Sequence, residues 1–391
     1  MPKWLSRDAL LISLSAFFAD AGYQALIAGF PIFLVLYLKA PAYMLGIAMA
    51  LAYGIGSLFA YFGGKAADRY GKKKIALLGN LFIPILSFTG FSYSAVEATA
   101  LFSGGWWARN FRTPARRAMI GDITPKQFKG RVFGFLNALD IGGGIVSITY
   151  LSIAISLGVK ISSVFIYTAL PILLSSLCLA FVKYNGVNKV KKAVVAARRK
   201  IEAAKETTAR SSYRAVIIAT GLYGLSFYSM SFPVLTIAQK SGNLAGVASY
   251  AVFLLVSAVF GYIIGARVRK AVHGLAFLGY LLAAFGSLVL GLSYAFNFGV
   301  IVSYLGMLLI GMAAGTIETL EPTIISTISS KRGSGSRMGA LTASRSLGLF
   351  FANLLMGFLY IIGPIYSYSF AAALAASAAA VLLAFGNEIK L

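Results

Sequence analysis

Apolar residues run along this chain in blocks of about 20 or more, broken by short polar connections. A helix of that length crosses the roughly 30 Å hydrocarbon core of a bilayer. Twelve blocks predict twelve spanning helices, at about 10–38, 42–63, 75–95, 98–118, 132–158, 161–182, 214–238, 244–265, 274–294, 299–325, 338–362 and 366–386. Only one connection is long, the polar stretch between Lys183 and Arg214. Twelve is even, so both termini are expected on one side of the membrane.

Composition strengthens this reading. Of 391 residues, 59% are hydrophobic and 12% charged, against roughly 45–50% and about 25% in soluble domains. The formal charge of +24 would point to nucleic acid on a soluble protein. Here position explains it. Loops on the side of the termini hold 29 Lys and Arg, and the opposite loops hold Lys39, Lys160 and Lys240 alone. That asymmetry predicts a multi-pass protein of the cell membrane with both termini cytoplasmic and no nucleic-acid partner. The N-terminal apolar run is too long for a signal-peptide core. One cysteine, Cys178, and one histidine, His273, exclude a disulfide framework and a Cys/His metal cluster. They also leave no nucleophile–base constellation for a membrane-embedded enzyme, and no Walker-type glycine loop is present. No catalytic residue, metal or cofactor is expected.

Internal repetition divides the chain. Phe30-Pro31 recurs as Phe232-Pro233 at an offset of 202, Pro114 matches Pro322 at 208, and Arg131 matches Arg337 at 206. The expectation is an N-terminal six-helix bundle over 1–182, a basic cytosolic linker over 183–213, and a C-terminal six-helix bundle over 214–391. Tandem halves of this kind are a layout of secondary transporters. The linker, basic with scattered alanines, reads equally as a helix lying on anionic headgroups or as a solvated connection.

Between the second and third helices stand Gly64, Asp68, Arg69, Gly71, Lys72 and Lys73 within the run GKAADRYGKKK. This resembles the signature loop of the major facilitator superfamily. A second stretch, Arg112-Thr-Pro114-Ala-Arg116 followed by Asp122 and Gly130-Arg131-Val-Phe-Gly134, is similar to its prokaryotic branch of drug and proton antiporters. Two antiporter features differ: the position near Phe102 carries no arginine, and Gly142-Gly143-Gly144 lacks the central proline. The resemblance implies an all-α membrane protein with two six-helix bundles that rock around a central site. It also implies that Asp68 ties the bundles together when the cytoplasmic side is closed, and that helices 4 and 10 line the cavity. A purely topological basic loop is the alternative.

Seven ionisable residues lie deep within the apolar blocks, away from their ends: Asp20, Arg109, Arg112, Asp140, Glu318, Glu321 and Arg345. Charges at that depth are costly and point by default to function. At 1.5 Å per residue Asp20 lies near the midplane, and Arg109 and Asp140 lie roughly 13 and 12 Å from the cytoplasmic edge. Arg109 or Arg112 is expected to reach Asp140, and Glu318 or Glu321 to reach Arg345, so the halves repeat the arrangement with inverted signs. Such pairs could instead be structural bridges without a substrate. Four acids against three bases leave one negative charge, assigned to Asp20, with Tyr23 and Gln24 beside it. An unpaired buried carboxylate suits proton binding and release.

The expected function is secondary active transport of a small solute by alternating access, read as proton-coupled efflux by a monomer. A cation is the substrate chemistry Glu318 would suit. A proton symporter or uniporter of a small metabolite is the alternative, and a sensor or scaffold on the same fold is the competing class.

Overall fold

The computed structural model of the chain describes residues 4–125, 128–184, 206–268, 270–328 and 334–386. These residues are almost wholly helical. Eleven helices among them are long and apolar enough to cross a membrane. The N-terminal half supplies α1 (Arg7–Tyr37), α2 (Ala42–Tyr70) and α3 (Lys72–Phe91), then α5 (Lys129–Ser156) and α6 (Ile161–Ala180). The C-terminal half supplies α7 (Tyr213–Ser241), α8 (Asn243–Arg267), α9 (Ala271–Ala295), α10 (Val300–Ile328), α11 (Ser334–Ile362) and α12 (Pro364–Phe385). The twelfth, α4 (Ala95–Ile123), is 29 residues long and carries Arg109, Arg112, Arg116 and Arg117. Its length is ample for a span, and its charged and weakly apolar residues set it apart.

Local chemistry sets the ends. Ser6 caps α1 by accepting from the Ala9 N–H at 3.1 Å. Ser94 caps α4 by accepting from the Glu97 N–H, while the Glu97 carboxylate takes the Tyr93 N–H; both satisfy donors a helix start would leave bare. Gly71 turns from α2 into α3 at a φ of 101°, a conformation that a side chain disfavours. Helix α7 is interrupted over 227–230, one turn before Pro233, whose ring nitrogen cannot donate to the Ser229 carbonyl.

Packing between helices relies on small residues, since lipid removes most of the hydrophobic drive between spans. A Cβ on Gly357 would lie 3.0 Å from the Gly46 Cα, so α2 and α11 approach backbone to backbone. Contacts between the two halves gather along the first part of α2 with α11, the last part of α7 with α1, and α5 with α8. The inner part of α2, from Gly56 to Tyr70, packs instead on α3 and α4 of its own half. The apolar core shows the same division. On the side away from the termini one cluster runs across both halves, joining Phe30, Phe33 and Met49 to Phe232, Tyr250 and Met356. Toward the termini it splits into a separate cluster in each half, around Ile12, Ile75 and Met119, and around Val216, Ile317 and Leu382. The bundles are therefore closed together on one side and parted on the other.

Candidate functional site

The inverted charges form one ion pair in each half. Arg116 Nη2 lies 3.3 Å from Asp140 Oδ1, and Arg345 Nη2 donates to Glu321 Oε2. Each pair joins residues 24 apart, and Arg116 and Glu321 are 205 apart, as are Asp140 and Arg345. The repeat is thus kept to the residue while the signs are exchanged. In both pairs the member on α4 or α10 is the buried one. Arg116 and Glu321 have side chains 5% and 0% exposed, whereas Asp140 and Arg345 are 24% and 25% exposed. Glu321 is also held by the Tyr280 hydroxyl, which donates to Oε1 at 2.7 Å.

This corrects the sequence reading for the first half. Neither Arg109 nor Arg112 pairs with Asp140; Arg116 does. The apolar block suggests that α4 ends near residue 118 and places Arg116 with the following loop, but the helix continues to Ile123. One more buried base also brings the balance to four acids and four bases, so a net negative charge no longer singles out Asp20. Two signals were present in the sequence: the i+4 spacing from Arg112 and the shared separation of 24. In the second half Glu321 takes Arg345, and Glu318 is exposed with no ion-pair partner among the described residues.

Asp20 is 4% exposed and stands where α1, α4 and α5 converge. Its Oδ2 accepts from the Tyr23 hydroxyl at 2.7 Å and its Oδ1 from Gln24 Nε2 at 3.0 Å. Gln24 in turn accepts from the Tyr250 hydroxyl at 3.0 Å, and Tyr250 belongs to α8 in the other half. Hydrogen bonds therefore run from a buried carboxylate across the seam between bundles. Within the first half, Gly143 lets α5 pack closely on α1, since a Cβ there would lie 3.0 Å from the Ala21 nitrogen. Beside it α5 reaches into the backbone of α1: Ser147 Oγ accepts from the Ala25 N–H at 2.7 Å, and the Tyr150 hydroxyl donates to the Ala21 carbonyl at 2.9 Å.

Arg109 and Arg112 take different surroundings. Arg109 is half-buried, with its guanidinium 4.7 Å from the Trp106 ring centre and 5.4 Å from that of Tyr23. Tyr53 packs edge-on to Trp106 at 5.0 Å. Arg112 is wholly buried, and its Nη1 donates to Asn80 Oδ1 at 2.8 Å. Asn80 then donates to Ser175 and Ser176 on α6. Asn80, Tyr53, Tyr250 and Tyr280 are site residues that sequence reasoning missed, because polar and aromatic side chains within an apolar run give no sign of which face they occupy. Trp107, by contrast, donates to the Leu51 carbonyl and stacks on Phe59, which is packing.

The signature loop clamps its own half. Lys72 lies 2.6 Å from Asp122 at the end of α4, and Lys73 donates to the Ala180 carbonyl at the end of α6. Tyr184 donates to the same Asp122 at 2.5 Å, and burial and this carboxylate push its hydroxyl pKa up. Arg69 lies over the Tyr70 ring, and Gly64 faces Pro114. Asp68 is exposed at the inner end of α2 with no ion-pair partner among the described residues.

The sequence profile described as Major Facilitator Superfamily matches residues 12–320. The chain belongs to that superfamily. Solved structures share the fold across nearly the full length. The inward-open xylose transporter XylE from E. coli is 16% identical with a TM-score of 0.74, over 97% of this chain and 96% of that one. A POT family transporter in complex with a thioalcohol-conjugated peptide is 14% identical with a TM-score of 0.79, over 97% and 96%. A mutant form of the nucleoside transporter NupG is 11% identical with a TM-score of 0.73, over 97% and 98%. At such identities the likeness shows the fold alone. No curated protein sequence matches the chain significantly. The drug and proton antiporter branch is left unassigned by these comparisons, which include a D-xylose–proton symporter.

Proposed function

We propose that this protein is a proton-coupled secondary transporter of a small solute, with Asp20 as its proton site. The observation that carries this reading is the bonded path from Asp20 through Gln24 to Tyr250. Ionised, Asp20 accepts from both Tyr23 and Gln24; a proton on Oδ1 makes that oxygen a donor and a poorer acceptor, which weakens its bond from Gln24. Gln24 then reorients or releases Tyr250, so a proton on one bundle alters its grip on the other. Alternating access needs such a link between ion binding and the seam.

Bundles 1–182 and 214–391 are the moving bodies, joined by residues 183–213, of which 185–205 lie outside the described residues. With the termini cytoplasmic, as the distribution of basic residues supports, the parted side faces the cytosol and the structure is inward-open. The exposed Asp68, without an ion-pair partner among the described residues, suits that state. Its expected partner lies across a gap that closes when the carrier turns outward.

Proteoliposomes loaded with a pH-sensitive dye and challenged with a panel of small solutes test the coupling. A transported solute changes the internal pH in the wild type and does not in Asp20→Asn, although the variant still exchanges labelled for unlabelled solute. Solute-driven proton movement undiminished in Asp20→Asn refutes the assignment. The sign of the pH change separates cotransport from exchange.

A further inference from the structure

Arg109, Arg112 and Arg116 follow one another at steps of three and four along one face of α4. Arg109 Nε, Arg112 Nε and Nη2, and Arg116 Nε and Nη1 are buried without a hydrogen-bond partner. Native proteins seldom leave buried donors bare, and each such group asks for a partner. Arg116 has Asp140, and Arg112 is sealed behind it against Asn80. Arg109 differs from both. It is half-buried, it donates to the neighbouring Asn110 at 3.2 Å, and no carboxylate among the described residues lies within ion-pair distance. Around it stand Tyr23, Tyr53 and Trp106, with Tyr250 arriving from the opposite bundle through Gln24. A guanidinium is the side chain best shaped for a planar oxyanion, and these rings offer an apolar wall beside it.

We infer that Arg109 receives the anionic group of the transported solute, a small organic anion whose apolar part lies among Tyr23, Tyr53 and Trp106, and that this anion travels in the same direction as the proton. The direction follows from the charges around Asp20 and rests on its role as the proton site. Facing Asp20 are Tyr23 and Gln24 from α1, Arg109, Arg112 and Arg116 from α4, Asp140 from α5 and Tyr250 from α8. Arg116 and Asp140 neutralise each other, and Arg112 is a fixed charge in both states. The variable balance is between Asp20 and Arg109. Ionised Asp20 offsets the guanidinium and weakens its hold on an anion; protonated Asp20 leaves the positive charge free. Proton and anion thus favour each other, and by linkage each strengthens the other's binding by the same factor. Exchange would require the opposite, a cation competing with the proton for Asp20.

The test is equilibrium binding to the purified full-length protein in detergent, without a gradient. The probes are monocarboxylates, sulfonates and phosphate monoesters, with matched quaternary ammonium ions and neutral amides, at about pH 6 and pH 8. Sulfonates stay ionised at both values, so any pH dependence belongs to the protein. An anion is expected to bind at least about 5-fold more tightly at the lower pH, and by less than the roughly 100-fold that one coupled proton allows across two pH units. Arg109→Gln should lose this binding, Arg109→Lys should keep it weakened but still pH-dependent, and Asp20→Asn should bind equally at both pH values. No binding by any anion, anion binding that survives Arg109→Gln, or a cation that binds more tightly at high pH overturns the inference. If Arg109→Gln fails to fold, Arg109→Lys decides, since affinity identical to wild type removes the guanidinium from the site. Anion binding through Arg109 with no pH dependence in the wild type refutes the Asp20 reading and the shared direction, while the anion site stands.

Discussion

Removing one partner of each ion pair should be costly in a way that depends on which partner goes. Arg345→Gln leaves the Glu321 carboxylate, 0% exposed, with the Tyr280 hydroxyl on one oxygen and nothing of opposite charge on the other. Stranding a buried charge typically costs about 3–5 kcal/mol. Glu321→Gln leaves Arg345, whose side chain is 25% exposed, able to recruit water and to lean toward Glu318; here the loss should be smaller, about 1.5–3 kcal/mol, as for a hydrogen bond to a charged group. The first half should show the same order with the signs exchanged. Asp140→Asn strands Arg116, 5% exposed and already lacking partners at Nε and Nη1, and should cost more than Arg116→Gln. In both double variants, Glu321→Gln with Arg345→Gln and Arg116→Gln with Asp140→Asn, most of the loss should return, because neutral side chains suit the site. Unfolding midpoints in one detergent, read as double-mutant cycles, measure this, with Glu318→Gln as the control expected to change little. Equal costs for the two members of a pair would refute the argument from exposure. A double variant no better than its worse single would show that the pair is not the unit.

Two smaller perturbations probe the two sides of the carrier. Asp68→Asn should leave the unfolding midpoint unchanged, since the carboxylate has no ion-pair partner among the described residues, yet shift the population toward the inward-open form; labelling of cysteines introduced near Glu318 should rise, and unchanged labelling would return the loop to a purely topological role. Gly357→Val would drive a side chain into α2, where even a Cβ would lie 3.0 Å from the Cα of Gly46 and of Tyr43; labelling of cysteines placed near Tyr43 from the side away from the termini should increase, with Gly357→Ala milder, and an unaltered pattern would show that the seam yields without opening.

The number of helices was legible because lipid forces a simple code of about 20 apolar residues per span. The code fails at α4, and for an informative reason. An arginine ends an apolar run, so Arg116 reads as loop, yet a bundle interior can take the charge if a partner stands on the next helix. Hydropathy measures the cost of a residue facing lipid, and α4 turns Arg112 and Arg116 away from it. The partner is a matter of reach rather than depth. Arg109 and Asp140 lie at similar heights by residue count, but Arg109 is held against Trp106 and Tyr23, leaving Asp140 to the residue two turns nearer the helix end. Which tyrosines complete the site is not legible at all, since 21 of them are spread along the chain and only the fold selects Tyr250 and Tyr280.

The two sides of the seam are built from different interactions, and this follows from what each must do. On the outer side α2 and α11 meet through Gly46 and Gly357, and apolar residues of both halves share one core. Contact of that kind is short-ranged: a shift of about 1 Å forfeits much of it, so it holds firmly or lets go. On the inner side each half keeps its own core, and the residues near the gap include Asp140, Arg345, Glu318 and Asp68. Charges act over longer distances and tolerate water, so they can remain solvated when the bundles part. An apolar surface of the same size, exposed at every opening, would carry the full hydration cost each time. Polar residues on the parted side and glycine-backed packing on the closed side therefore keep the cost of opening low where water enters. The hydrogen-bonded path between the bundles at Asp20, Gln24 and Tyr250 lies between these two regimes, the level at which the proposed proton on Asp20 would be felt across the seam.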